Sequence, residues 1–406
     1  MSLSRAPHPR LAAALGAAGA AVLLVVGTSA CQVVERARAG AGVAGAVDEL
    51  LAWEAVTLEA GVDASADQVY DYLLRTAAGG SGGEEPSRDD ARRLAELDLT
   101  TAIGAPDGRT AMRDLEPYTS LNSAMVMSFG GDDVTGLKNI NGVRYARADV
   151  AALVEDALHG DEATVAEAER FVQEASRVPD SLAVPGAALA GDWVEVDPYR
   201  YDDYTAALVE GESRVEPETA EAFAGALTDA GDLLTANSLW GFVEGLESAL
   251  RGDATLEPAG EERGAELLRA ELPAGDAWRA LEPLLTLLTE QSARFGMPPL
   301  VAEPADDAAA EPVTAELTVR NGVLTGIAFD LAQFAPGGAE AAGGAGLPLS
   351  LDLTGGSALS LTAPASGGPL QPEDLTVALL YLADRAEDQT ADPDRADIPG
   401  PMQPGS

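Results

Sequence analysis

Residues that could act as nucleophile, base or metal ligand are scarce in this chain. Two histidines and one cysteine stand among 406 residues. His8 lies within the first ten positions, so a histidine base would have to be His159. His159 closes a helical stretch just before Gly160, where an imidazolium meets the partial negative charge of a helix C-terminus; that plain role needs no substrate. A metal site with several His or Cys ligands is excluded by count. Gly79-Gly80-Ser81-Gly82-Gly83 spells G-x-S-x-G, but a nucleophile elbow needs a strand before its serine and a helix after it. Here the serine stands in a glycine-rich linker. Carboxylate pairs remain at Asp132-Asp133, Asp202-Asp203 and the tail from Asp388 to Asp397. None has the spacing of a calcium loop, and with 67 acidic residues close pairs arise without function. No catalytic residue, cofactor or metal is expected, and the chain does not read as an enzyme.

The single cysteine is better placed for chemistry done to the protein than by it. Arg5 and Arg10 form a short positive segment, Leu11 to Val26 is an unbroken apolar run, and Thr28-Ser29-Ala30-Cys31 follows. Positive, apolar, then small residues is the order of a secretory signal. The run ends in a cysteine, and it resembles the lipobox read by lipoprotein-processing enzymes, with Thr28 where leucine is usual. The resemblance implies that residues 1–30 are removed and that Cys31 carries a diacylglycerol. An uncleaved anchor is the competing reading, since Leu11 to Ala30 is just long enough to span a bilayer, though rich in Ala and Gly. Either reading places the rest of the chain on the extracytoplasmic face of the cell membrane. An exported chain with one cysteine has no disulfide framework.

Acidic residues number 67 and basic residues 25, with Lys138 the only lysine. Such a surface repels nucleic acid and anionic headgroups, so no nucleic-acid partner is expected. The plain role of the charge is solubility outside the cell. Heavy use of Ala, Gly, Asp and Arg with almost no Lys points to a high-GC genome and, with the lipobox, to an actinobacterium.

Four segments are expected: the signal at 1–30; a tether and possible short helix, Val47 to Ala60, within 31–60; an α+β domain over 61–384; and a polar, Pro-rich, disordered tail over 385–406. Ser65-Ala66-Asp67-Gln68 fits a capping box at the head of a helix. Leu97 to Ile103 and Ala124 to Phe129 read as strands. Val134 to Ile140 and Val143 to Arg147 form a hairpin about Asn141-Gly142, the favoured pair for a two-residue turn with positive φ. Asp149 to Leu158, Glu162 to Ala175 and Glu218 to Leu250 read as helical, with Asp192 to Val196 a short strand between them. Ala254 to Glu257 could pair with Ala265 to Leu272. Asp276 to Phe295 is an amphipathic helix containing Pro283, which should kink or restart it. A second Asn-Gly hairpin, Ala315 to Leu331, turns at Asn321-Gly322. Pro348 to Leu353 and Ala358 to Thr362 are further strands. Strands on either side of a helical middle give a mixed α+β fold with an antiparallel sheet against helices. The aromatic cluster Trp193, Tyr199, Tyr201 and Tyr204 could rim a pocket or pack a strand on a helix.

This order of elements is similar to that of actinobacterial lipoproteins of the mycobacterial LppX/LprG type and the related LolA-like carriers. The likeness rests on Asn141-Gly142-Val143-Arg144-Tyr145, on Gly191-Asp192-Trp193-Val194, and on the C-terminal run from Gly264 to Pro364. The resemblance implies a curved antiparallel sheet, a half-barrel, closed by helices over an apolar cavity that holds acyl chains. On that reading Val143, Tyr145, Trp193, Leu317, Val319, Ile327 and Phe329 line the cavity from the sheet, and Leu281 and Leu285 from the helix. The expected activity is carriage or sensing of a hydrophobic ligand such as a lipid. The alternative is a structural or interaction lipoprotein with a solid core and no ligand.

Overall fold

The computed structural model describes residues 40, 42–79, 86–116, 119–158, 160–211, 224–225, 241, 245–246, 248–249, 254–294, 311–334, 346–365 and 368–391. The signal segment, Cys31, Ser81, His159 and most of Glu218 to Leu250 lie outside them.

The described residues form an α+β fold on one eleven-stranded sheet that is not closed into a barrel. The strands are β1 (Ala55–Val62), β2 (Leu97–Gly104), β3 (Asn122–Phe129), β4 (Asp132–Ile140), β5 (Val143–Ala148), β6 (Val194–Glu195), β7 (Thr255–Glu262), β8 (Ala265–Pro273), β9 (Pro312–Arg320), β10 (Val323–Asp330) and β11 (Pro348–Gly355). Their order across the sheet is β6-β5-β4-β3-β2-β1-β11-β10-β9-β8-β7. The first and last strands thus meet at its centre, and every pairing is antiparallel.

Tight turns set the registers. Asn141 and Gly142 have φ of 53° and 81°, and Asn321 and Gly322 have 53° and 80°. Both residues of each pair occupy the left-handed region that a hairpin turn matching strand twist requires. Arg263 and Gly264, at 50° and 80°, close the β7–β8 hairpin in the same way.

Helices cover one face of the sheet. The longer ones are α1 (residues 42–50), α2 (Ala66–Gly79), α3 (Arg88–Glu96), α4 (Glu162–Ala175), α5 (Ala183–Leu189), α6 (Tyr201–Gly211), α7 (Ala274–Arg294) and α8 (Pro372–Ala391). The capping box of α2 is present: Ser65 N donates to Gln68 Oε1 at 2.9 Å, and Gln68 N donates to Ser65 Oγ at 3.4 Å. Leu58 and Leu99, Met125 and Met127, Leu351, Ile327 and Leu268 alternate inward along their strands into one contiguous core. α7 runs unbroken through Pro283 and buries Leu281, Leu284, Leu285 and Leu288.

Three expectations are corrected. Residues 55–62 are neither tether nor helix but β1. Val56, Leu58 and Ala60 are buried in the core, a period of two. The helix lies earlier, with Val43, Ala46, Val47 and Leu50 buried at helical spacing. Ala358 to Thr362 is not a strand. Both flanks of β11 are occupied by β1 and β10, so the next segment has no open neighbour there. It instead crosses the sheet end: Ala358 N donates to Thr57 Oγ1 at 2.9 Å, and Leu361 lies so close to Gly104 that a Cβ there would sit 2.6 Å from its Cδ1. Pro369 then bridges Glu195 at the short β6 edge. Finally, α8 carries helix through Arg385 to Ala391, into the stretch expected to be disordered. Leu375, Ala378, Leu379 and Leu382 tie it to the core at i, i+3, i+4 and i+7.

Candidate functional site: an apolar cavity under helix α7

β8, β9 and β10 present Ala270, Leu272, Leu317, Ile327 and Phe329 towards α7, which answers with Ala277, Ala280 and Leu281. Alanines face alanines across part of this contact, and a cavity remains between sheet and helix. Leu246 and Ala249 close one side. Gly245 brings that segment against α7, where a Cβ would come within 3.2 Å of Ala280 Cα. Phe334 closes another side, packed edge-on against Trp278 at 5.7 Å and Phe329 at 6.4 Å between ring centroids.

The cavity volume is about 40 Å³. It holds a few methylene groups, since one water needs roughly 10–15 Å³. Among the described residues no titratable side chain lines it. Its two polar neighbours satisfy each other: Thr314 N and Oγ1 donate to Gln333 Oε1 at 2.7 and 3.2 Å, and Gln333 Nε2 donates to Thr314 O at 2.9 Å. The site therefore offers dispersion contacts and no hydrogen bond, which suits an alkyl group and no charged one.

Of the residues expected to line a cavity, the structure brings together Leu281, Leu317, Ile327 and Phe329. Leu285 and Val319 lie in the same core but outside the cavity wall. Val143, Tyr145 and Trp193 do not join them. The β4–β5–β6 register aligns Leu137, Ala146 and Val194, all core residues, and places Tyr145 opposite Lys138 and Glu195 on the other face. Trp193 follows the same parity. Lys138 Nζ lies 4.7 Å and Arg147 Cζ 5.3 Å from its ring centroid. The indole also approaches Gly136, where a Cβ would lie 2.8 Å from Trp193 Cη2. Burial and the neighbouring Arg147 charge both lower the Lys138 pKa. Among the described side chains the aromatic cluster forms no common rim: Tyr204 is buried with its hydroxyl donating to Leu370 O at 2.9 Å, whereas Tyr199 is 85% exposed; the Tyr201 side chain lies outside them.

Sequence reasoning missed Ala270, Ala277, Ala280, Ala315 and Phe334. The signal available was alanine at inward positions beside leucine, Ala270 after Leu268 and Ala315 before Leu317.

Among the described residues no group of three or more His, Cys, Asp or Glu could hold a metal ion, and no helix is long and apolar enough to cross a membrane. Comparison of the sequence with protein-family models and with curated proteins finds no match.

Proposed function

We propose that the protein is a cell-envelope lipoprotein, anchored through a diacylglycerol on Cys31, that carries or senses a hydrophobic ligand by taking alkyl groups between α7 and strands β8–β10. The reading is supported above all by the cavity at that seam, lined mainly by alanine, leucine, isoleucine and phenylalanine side chains. It also draws on the LppX/LprG-like element order noted in the sequence. A whole acyl chain needs several times the enclosed space, so loading requires α7 to lift from the sheet. Mass spectrometry of organic extracts from the purified protein, with titration of a fluorescent fatty acid, tests the proposal. Recovered acyl lipid or saturable binding is expected. A clean extract together with no fatty-acid binding would overturn it.

A second reading is favoured by the packing elsewhere. On β2 and β3 the inner face is filled, with Leu99, Met125 and Met127 fully buried. On that reading the protein is an interaction or structural lipoprotein with a solid core, and the same experiment returns nothing bound.

A further inference from the structure

At the far side of the sheet from the cavity, Asn139 and Arg144 face each other across the β4–β5 ladder. Their rung is next to the Ile140–Val143 pair that closes the Asn141-Gly142 turn. The turn is held in place, because Asn141 N donates to Asn122 Oδ1 at 2.9 Å. Register parity puts both side chains on the inner face, in line with buried Ser123 of β3. Arg144 Nη1 and Asn139 Oδ1 are both buried, and neither has a hydrogen-bond partner. No carboxylate pairs with Arg144 among the described residues, in a chain with 67 acidic residues. Tyr199 lies nearby, its ring centroid 5.9 Å from Arg144 Cζ. That ring is exposed, so the guanidinium lies beside the surface.

A buried donor on a fixed positive charge and a buried neutral acceptor, on facing residues of one rung and both without a protein partner, are costly to keep unless something meets them. Their chemistry is complementary to one kind of group. The guanidinium matches an oxyanion and binds phosphate well. The amide oxygen needs a hydroxyl donor close to that oxyanion. A bare anion would satisfy Arg144 and leave Asn139 unmet. The protein's overall negative charge does not forbid this, because at physiological salt charges beyond about 8 Å are largely screened and local contacts decide.

We propose that Arg144 and Asn139 anchor a binding site for a phosphate group with a neighbouring hydroxyl, as in glycerol phosphate, free or as the headgroup of a lipid. This site is independent of the α7 cavity.

The test is thermal unfolding of the full chain with glycerol 1-phosphate, with sodium sulfate as the bare oxyanion. The melting temperature should rise with glycerol 1-phosphate and rise less with sulfate. Asn139→Asp places a carboxylate across the rung, where it pairs with Arg144. This variant should melt higher than wild type on its own and lose the response to glycerol 1-phosphate. Arg144→Met should lose the response too, and Lys138→Gln, on the outer face, should keep it. Co-sedimentation with phosphatidylglycerol vesicles, abolished by Asn139→Asp, would make the source a lipid headgroup; a response to the soluble compound alone would make it a free metabolite. A wild type that responds to neither probe, a sulfate response as large as that to glycerol 1-phosphate, or a response retained in Asn139→Asp would each overturn the proposal.

Discussion

Replacing Ala315 by valine tests whether the space under α7 can take alkyl groups. Ala315 sits on β9, flanked by Ala270 of β8 and Phe329 of β10, and it lines the cavity. Valine adds two methyl groups, worth about 1.6 kcal/mol if both are buried at about 0.8 kcal/mol each. An enclosed space of about 40 Å³ has room for most of that volume. The wall's rearrangement takes back part of the gain, while a β-branched residue is well suited to a strand. A net stabilisation of about 1 kcal/mol is expected. It should appear in urea titration as a higher midpoint with an unchanged slope. The same variant should weaken fluorescent fatty-acid binding, because the added methyls occupy the ligand's space. A destabilisation beyond about 1 kcal/mol would mean that the walls already touch. Stabilisation with unaltered fatty-acid binding would place the ligand elsewhere.

Gly322→Val puts a β-branched residue at φ 80° and should cost more than about 1 kcal/mol by urea titration; an unaffected midpoint would contradict the turn geometry. Phe334→Ala removes both edge-on ring contacts and should cost about 3–5 kcal/mol, with tryptophan emission shifting red as Trp278 is wetted. The backbone N–H and hydroxyl of Thr110, with the N–H of Arg109, lower the Asp107 pKa to about 2. The folded value lies below the unfolded one, so this stabilisation is complete above about pH 4 and is lost as pH falls towards 2. Asp107→Asn should flatten the acid-unfolding curve in that window, and a carboxyl NMR midpoint near 4 in the wild type would refute the assignment. Cys31→Ala should abolish incorporation of labelled fatty acid and partition into detergent; label retained in the variant would sink the lipobox reading.

The hairpins were legible because their chemistry is local: Asn-Gly favours positive φ at both positions whatever surrounds it. The same holds for the Ser65–Gln68 box and for the leucine spacing of α7. β1 was hidden because the run before it is helical and small residues blur the change of period at Trp53. The face of Trp193 is not legible in the sequence, because Trp193 and Val194 are adjacent and both apolar, and a two-residue strand has too little alternation to choose between them. The choice is made by partners far along the chain: Ala146 inside against Val194, Lys138 and Arg147 outside against the indole. The cavity was silent for a related reason, since it is made by side chains that are short, and alanine carries little hydrophobic signal. The Asn139–Arg144 rung lay in the first hairpin's text, but its lack of partners is a property of the fold alone.

The junction of β1 with β11 has a consequence for how the chain matures. β1 to β6 can assemble in sequence order, each strand beside the one before it, and so can β7 to β11. The join between these halves instead links residues as far apart as Thr57 and Gly356, a separation of 299. Contacts of such long range are formed late and slowly, because the loop must be closed before any pairing rewards it. Until β11 arrives, β1 carries an open row of backbone donors and acceptors, the kind of edge that recruits foreign strands. The final strand acts as a latch. A chain lacking residues 348–355 would leave that edge bare in the middle of its own sheet, prone to aggregate. For the exported chain proposed above, a latch made late in synthesis also delays completion of the sheet, which helps keep the polypeptide loose enough to be threaded across a membrane.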